Sequence, residues 1–260
     1  MRLQDKIAIV TGGGSGFGAG IVRKFVAEGA RVIVADMNLP AALDVVAAAG
    51  TAARALRVDV SSAADTKLMF DAAEHHFGPV DILVNNAGIG HLPQLLEGLP
   101  EDEFDRLFAV NMKAIYLAMR EAVPRMKTRK LAGTGSGTGS GINGVVLNIA
   151  STAGVSPRPR LAWYNASKGW VITATRACAV ELAPFGIRVN ALNPVAGETP
   201  LLKTFMGDDT PEVRAKFLAS IPLGRFSTPE DLGNAACYLC SDEASMVTGV
   251  CMEVDGGRCI

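Results

Sequence analysis

The chain is 260 residues long, 49% hydrophobic, with 25 Lys+Arg against 26 Asp+Glu and a formal net charge of -1. A length of that order fits one globular domain burying roughly 75% of its unfolded surface, or at most two small ones, and it argues against a disordered or fibrous chain. The balanced charge excludes a global attraction to nucleic acid or anionic lipid, so a charged ligand has to be gripped locally.

Along the chain, short apolar runs alternate with longer amphipathic ones. Met1 to Lys6 leads straight into the apolar run at 6–11 without a long hydrophobic leader, which points to a cytoplasmic protein. A strand at 6–11 is followed by a helix at 16–28, then strand 31–35, helix 39–49, strand 54–59, helix 62–77 and strand 80–84. His75 and His76 close the third helix, where partial positive charge suits the helix dipole. A long helix is predicted over 101–128, strand 144–149, helix 163–184 and strand 187–193, with a last strand near 250–254. Such alternation predicts an α/β fold: a doubly wound, Rossmann-type parallel sheet of about seven strands with helices on both faces, forming one nucleotide-binding domain over 1–260.

Three stretches interrupt the pattern. Leu131 to Pro157 is uncharged and long enough to span a membrane, but Gly, Ser, Thr and Asn fill its first half, so 131–143 reads as a flexible loop leading into a strand. The region 195–225 reads as a lid over the substrate. Cys237 and Cys240 form a C-x-x-C late in a helix beginning near Pro229, with no second pair and no nearby His; packed thiols are expected rather than redox or metal chemistry. The five cysteines show no disulfide framework, and no metal site is expected.

The chemistry concentrates at strand ends. Thr11-Gly12-Gly13-Gly14-Ser15-Gly16-Phe17-Gly18 follows the first strand and opens the first helix. Glycines let the backbone turn sharply and approach a pyrophosphate, whose charge is met by free N–H groups at the helix start. Asp36 ends the second strand, at the distance downstream where a carboxylate accepts both ribose hydroxyls of NAD and repels the 2′-phosphate of NADP. Ser15 and Met37 bring no cation to offset that repulsion, so NAD is preferred. Tyr164 and Lys168 stand four residues apart on one helix face, where an ammonium favours phenolate and lowers the phenol toward the range of a general base. Ser151 follows the strand at 144–149, at the carboxyl end where open α/β sheets place ligands.

Together these residues resemble the classical short-chain dehydrogenase/reductase family, over essentially the whole chain and in order. Thr11 to Gly18 matches the family's Thr-Gly-x-x-x-Gly-x-Gly, Asp59-Val60 the pair that contacts adenine, and Asn85-Asn86-Ala87-Gly88 the motif bordering the cofactor. Asn111, Ser151, Tyr164 and Lys168 match the catalytic tetrad, and Pro194 and Thr199 the segment that closes over nicotinamide. The resemblance implies that Tyr164 is the general acid/base, that Ser151 holds the substrate oxygen, that Lys168 also binds the nicotinamide ribose and that Asn111 holds a water linked to Lys168. On its residue type alone, Asn111 reads equally well as a buried helix-bend residue. The usual glycine after the proline is Val195 here, with Gly197 two residues later, which leaves the path of that loop open. Ser167 lacks a nucleophile elbow, Asn148 reads as a strand-end residue, and Glu198 as a solvent-facing one.

The substrate pocket is expected from His91, the segment 154–163 including Arg158, Arg160 and Trp163, and the lid. Two guanidiniums on the proline-stiffened Ser156-Pro157-Arg158-Pro159-Arg160 suit a carboxylate, phosphate or sulfonate, although exposed arginines are the rule and favour water or a subunit contact. The expected activity is NAD-dependent interconversion of a secondary alcohol (a small polyol, sugar or cyclic alcohol) and its ketone. A rival is reduction of 3-oxoacyl groups on acyl carrier protein, with the basic run Arg125 to Lys130 facing an acidic carrier. Val180, standing before Glu181 where such reductases have arginine, and Asp36, unfavourable to NADPH, speak against it. A non-catalytic NAD sensor is the remote alternative. The resemblance also implies a homotetramer built on the long helices, with Trp170, Ile172, Ala174 and Ala177 on an apolar face, and on the C-terminal Met252 to Ile260.

Overall fold

A computed structural model describes residues 1–131, 141–207 and 210–260, with side chains described outside 129–131. Seven strands form a single parallel sheet in the order β3-β2-β1-β4-β5-β6-β7: β1 (Ile7–Thr11), β2 (Arg31–Asp36), β3 (Ala53–Arg57), β4 (Ile82–Asn85), β5 (Gly144–Ile149), β6 (Ile187–Pro194) and β7 (Cys251–Val254). β1, β5 and β6 are buried along their whole length, as expected of strands covered on both faces. Side chains alternate between two cores. Val10, Val34 and Leu147 pack under α1 (Gly16–Ala27) and α9 (Pro229–Cys240), with Phe25 and Leu232 at the centre. Ile9, Ile33, Leu83 and Val189 face the other way, toward Phe70 of α3 (Ala63–His76), Met126 of α5 (Ala114–Leu131) and Leu182 of α6 (Ala162–Leu182). α2 (Leu39–Ala49) completes the first face.

Strand order reverses between β1 and β4. The chain first builds outward through β2 and β3, then returns to pair β4 on the opposite side of β1. A crevice opens beyond the carboxyl ends of strands at such a switch point, and there the Gly-rich turn after β1 faces the turn after β4.

The predicted helix 101–128 is not continuous. α4 (Glu101–Phe108) passes through a five-residue π-helical turn, Ala109–Lys113, before α5 begins. A π turn inserts a residue into the i→i−4 ladder, a distortion common at functional sites, and this one carries the buried Asn111. The region 195–225 contains two short helices that hydrophobic periodicity did not reveal, α7 (Pro200–Met206) and α8 (Pro211–Leu218), each opened by a proline after threonine. Val195, Leu202, Met206, Ile221 and Phe226 bury together beneath them, too few apolar positions per helix to register as a pattern. Ile172 does not belong to an outer apolar face; it is buried with Ile115, Val171 and Ala191.

Cys237 and Cys240 lie unpaired and buried near the end of α9, and burial raises both thiols, Cys240 to about 12. Most of the predicted Gly/Ser-rich loop at 131–143 lies outside the described residues. Among the described residues no helix is long and apolar enough to cross a membrane.

Candidate active site

At the switch point, hydrogen bonds fix the backbone. Thr11 Oγ1 donates to the Val84 carbonyl at 3.3 Å and accepts the N–H groups of Asn86 and Ala87 at 3.0 and 3.1 Å. Asn86 Nδ2 returns the contact, donating to the carbonyls of Thr11 (2.8 Å) and Gly12 (3.0 Å). These bonds lock the ends of β1 and β4 together and hold the glycine turn. A Cβ on Gly18 would overlap the Gly12 carbonyl oxygen, so the turn can be this tight only with glycine there.

The cavity beyond these strand ends has a volume of about 550 Å³, within the range of small-molecule sites. Its first half is lined by Gly12, Ser15, Gly16, Phe17 and Gly18, by Asp36 and Met37, by Asp59 and Val60, and by Asn86, Ala87 and Gly88. Asp36 accepts the Gly14 N–H on Oδ2 and the Asn38 N–H on Oδ1, both at 2.9 Å. Gly14 thus orients the carboxylate rather than forming the wall itself. Each carboxylate oxygen retains a lone pair for a further donor. Asp59 is fixed in the same way by the N–H of Ser61 (2.9 Å) and its hydroxyl (2.6 Å). A bare glycine cradle at the start of a helix with no acidic residue in its first turn, next to an oriented carboxylate, suits a pyrophosphate and a ribose. The residues present therefore fit a dinucleotide.

Ser151, Tyr164, Lys168, Pro194 and Thr199 line the middle of the cavity. Tyr164 and Lys168 project from one face of α6. Burial pushes the Tyr164 phenol up to about 12, against the hydrogen bond from the Ser151 hydroxyl and the positive charge of Arg158, which pull it down. Lys168, expected to supply a downward pull on the phenol, stands beside the same ring. Its Nζ donates to the Ile149 carbonyl at 2.9 Å and sits 5.8 Å from the centre of the Tyr164 ring, and burial brings the ammonium itself down to about 8. Two cations, Lys168 and Arg158, therefore bear on the phenol.

Asn111 stands behind the wall. Its Oδ1 accepts the Ile89 N–H at 2.9 Å, and its Nδ2 donates to the Ile89 carbonyl (3.0 Å) and to Ser167 Oγ (3.1 Å). Ser167 in turn donates to the Tyr164 carbonyl at 2.8 Å, so its hydroxyl joins the π turn to α6. A Cβ on Gly88 would lie 3.4 Å from Lys168 Nζ and 3.5 Å from Asn111 Oδ1, so Gly88 is the near neighbour of both polar groups. Asn148 is buried between Asn85 (2.9 Å) and Thr175 (2.9 Å), a strand-end brace.

The substrate end differs more from expectation. Of its four candidates, only Arg158 reaches the cavity. His91 is buried elsewhere, with Nδ1 2.8 Å from the Leu92 carbonyl. Arg160 is exposed at φ 65°, which turns its side chain off the wall. Trp163 packs edge-on to Phe104 at 5.4 Å and donates to the Leu96 carbonyl at 3.3 Å. The place they were expected to fill is taken by Leu161, by Phe205 of α7, whose ring centre lies 4.7 Å from that of Tyr164, and by Arg258. Phe205 falls within the region read as a lid, but no sequence signal singled out either it or Arg258, because each comes from a short segment far along the chain. The departure at Val195 also resolves: its side chain joins the buried cluster under α7, while Gly197 leaves room for the Phe17 ring, which a Cβ there would strike. Among the described residues no cluster of three or more His, Cys, Asp or Glu could hold a metal ion.

Comparison with known proteins agrees with this architecture. The family described as enoyl-(acyl carrier protein) reductase matches residues 12–258. The chain is similar to the 4-formylbenzenesulfonate dehydrogenase of Comamonas testosteroni, 45% identical over 99% of both chains. It is also similar to the galactitol 2-dehydrogenase of Agrobacterium fabrum, 35% identical over 99% of both. A crystal structure of 3-ketoacyl-(acyl-carrier-protein) reductase from Brucella melitensis complexed with NADH superposes with a TM-score of 0.91, at 50% identity over 99% of this chain and all of that one.

Proposed function

The chain belongs to the short-chain dehydrogenase/reductase family, and from that premise we propose that it is an NAD-dependent dehydrogenase of a secondary alcohol, with Tyr164 as general acid/base. The observation that carries this reading is the meeting of the Tyr164 phenol and Ser151 hydroxyl inside the cavity that begins at the glycine cradle. The nicotinamide ring, when bound, supplies the hydride acceptor. In the oxidative direction Tyr164 Oη takes the alcohol proton, and in reverse it returns a proton to the nascent alkoxide. Ser151 donates to the substrate oxygen as charge develops on it. Lys168 holds positive charge beside that centre, and Asn111 keeps the π turn in register with α6. A phenol raised by burial is mostly protonated at neutral pH, so oxidation is expected to accelerate as pH rises while ketone reduction has its acid ready.

Selectivity for NAD over NADP is proposed from Asp36. Its carboxylate faces the cavity, and among the described residues the cations on the cavity wall, Arg158, Lys168 and Arg258, belong to its other end. An added 2′-phosphate would meet like charge without relief. The crystallised relative holding NADH supports the same choice. The names of the relatives also support small alcohols and aldehydes as substrates, a polyol among them.

The 3-oxoacyl reductase reading draws on the crystallised relative and the family description. Against it, Arg125 of the basic run is already committed to Asp71 (2.8 Å), Glu74 (3.2 Å) and Glu121 and is not free for an acidic carrier. Val180 at 80% exposure presents no cation either. A sensor without turnover would have no need for Ser151, Tyr164 and Lys168 together. Val180 and Ala177 lie exposed on α6, with Trp170 nearby, and this face supports the proposed homotetramer; sedimentation at micromolar protein tests it.

The direct test follows NADH absorbance with polyols, cyclic alcohols and β-hydroxyacyl thioesters. Turnover of an alcohol with NAD and little with NADP is expected. Turnover of the thioesters alone would favour the acyl reductase, and tight NAD binding without any turnover would favour the sensor.

A further inference from the structure

Two arginines share the substrate end of the cavity with Tyr164, and among the described residues no ion pair is formed by either. Arg158 sits on the loop between Ser151 and Tyr164. Its carbonyl accepts from Asn165 Nδ2 at 2.7 Å, which anchors the loop to α6, and its guanidinium lies 4.0 Å from the centre of the Phe217 ring of α8. Arg258 arrives from the turn after β7. There the Asp255 carboxylate accepts the N–H groups of Gly257 (2.9 Å) and Cys259 (2.8 Å), which shapes the turn. Among the described residues neither guanidinium forms an ion pair or a side-chain hydrogen bond. Burial first, and then the charge of Arg258, hold Arg158 below the ordinary guanidinium range.

Two like charges facing one partly desolvated cavity are unfavourable unless an anion lies between them. The carboxylates on the same wall, Asp36 and Asp59, cannot be that anion. They follow β2 and β3, whereas Arg158 follows β5, three strand spacings or roughly 14 Å from β2. The pyrophosphate cradle follows β1, two spacings from β5 or roughly 10 Å. The cavity that both arginines line can bring a substrate's anion to them directly. The same cavity wall includes the apolar Leu161 and Phe205, whose ring centre lies 4.7 Å from that of Tyr164.

We propose that Arg158 and Arg258 form an anion-binding subsite, and that the alcohol presented to Tyr164 carries a singly charged oxyanion, carboxylate or sulfonate, at its far end. This rests on the dehydrogenase reading and names its substrate class. Paired guanidiniums hold such a group through two or more charge-assisted hydrogen bonds, fixing which carbon lies under the phenol.

The test compares three ketones of one shape: 4-acetylbenzoate, 4-acetylbenzenesulfonate and the neutral 4-acetylbenzamide. Their affinities for the protein–NADH complex are measured by calorimetry, and their reduction is followed separately. At least one acid is expected to bind about tenfold or more tighter than the amide. Whether benzoate or sulfonate leads identifies the oxyanion. Arg258→Gln and Arg158→Gln should each reduce the acid-to-amide ratio to about threefold or less, and Arg258→Lys should restore part of it. NADH fluorescence titration confirms that each variant still binds cofactor. Equal affinity for all three probes in the wild type, including no measurable affinity for any, overturns the subsite, as does a ratio unchanged in both glutamine variants. Acids that bind preferentially yet are not reduced leave the subsite standing and count against the redox reading. Equal reduction of acids and amide does the opposite.

Discussion

The two ends of the cavity are built differently. At the adenosine end the wall is largely backbone, a run of glycines held by Thr11 and Asn86 through five hydrogen bonds of 2.8 to 3.3 Å at the ends of two neighbouring strands. At the substrate end it is side chains delivered by distant segments: Arg158 before α6, Phe205 on α7 and Arg258 after β7. A wall of backbone must be spelled out by consecutive residues, because only a particular local sequence can turn so tightly. A wall of side chains can be assembled from anywhere, and its members can change without disturbing the sheet. The first end is therefore suited to a fixed ligand and the second to a variable one.

This contrast is open to direct attack. Gly18→Val should abolish NADH binding, with Kd raised about a hundredfold or more, because the new side chain must displace either α1 or the Gly12 carbonyl from the cradle. Retained affinity, read by fluorescence titration, would mean the backbone wall is not tight. Asp36→Asn keeps an acceptor for the Gly14 N–H but removes the charge, and should shift the preference for NAD over NADP by about tenfold to a hundredfold in kcat/KM. An unchanged ratio would relieve Asp36 of that role. Phe205→Ala removes the ring against Tyr164 and should lower kcat/KM for the alcohol by about tenfold while NADH affinity changes by less than about twofold. If cofactor affinity fell equally, the two ends would not be separate.

How much was legible follows the same division. β1, β2 and the turn between them could be read because continuous apolar runs, glycines and Asp36 act within about thirty residues. Tyr164, Lys168 and Ser151 were visible through spacing and strand-end position and do meet in the cavity, whereas Asn111 was singled out only by the family resemblance. The π turn was not legible: 101–128 has helical periodicity, and the inserted residue changes the direction of Asn111 without altering composition. Nor was a second cation near the phenol. The i,i+4 rule pointed to Lys168, whose ammonium also donates to the Ile149 carbonyl, while the charge of Arg158 acts on the phenol from a loop. His91, Arg160 and Trp163 were plausible by proximity in sequence, yet His91 is buried beside the Leu92 carbonyl, Arg160 is exposed and Trp163 packs edge-on to Phe104.

The central claim is that one buried phenol moves the proton in step with hydride transfer. The most direct measurement is single-turnover NADH formation by wild type and Tyr164→Phe from pH 7 to pH 10, beside NADH affinity for both proteins. The wild-type rate should climb with pH because burial holds the phenol far above neutrality. The variant should lose roughly a thousandfold in rate and the pH dependence with it, while its NADH affinity stays within about threefold. A variant that oxidises alcohol within a few-fold of wild type, on the same rising profile, would contradict the account.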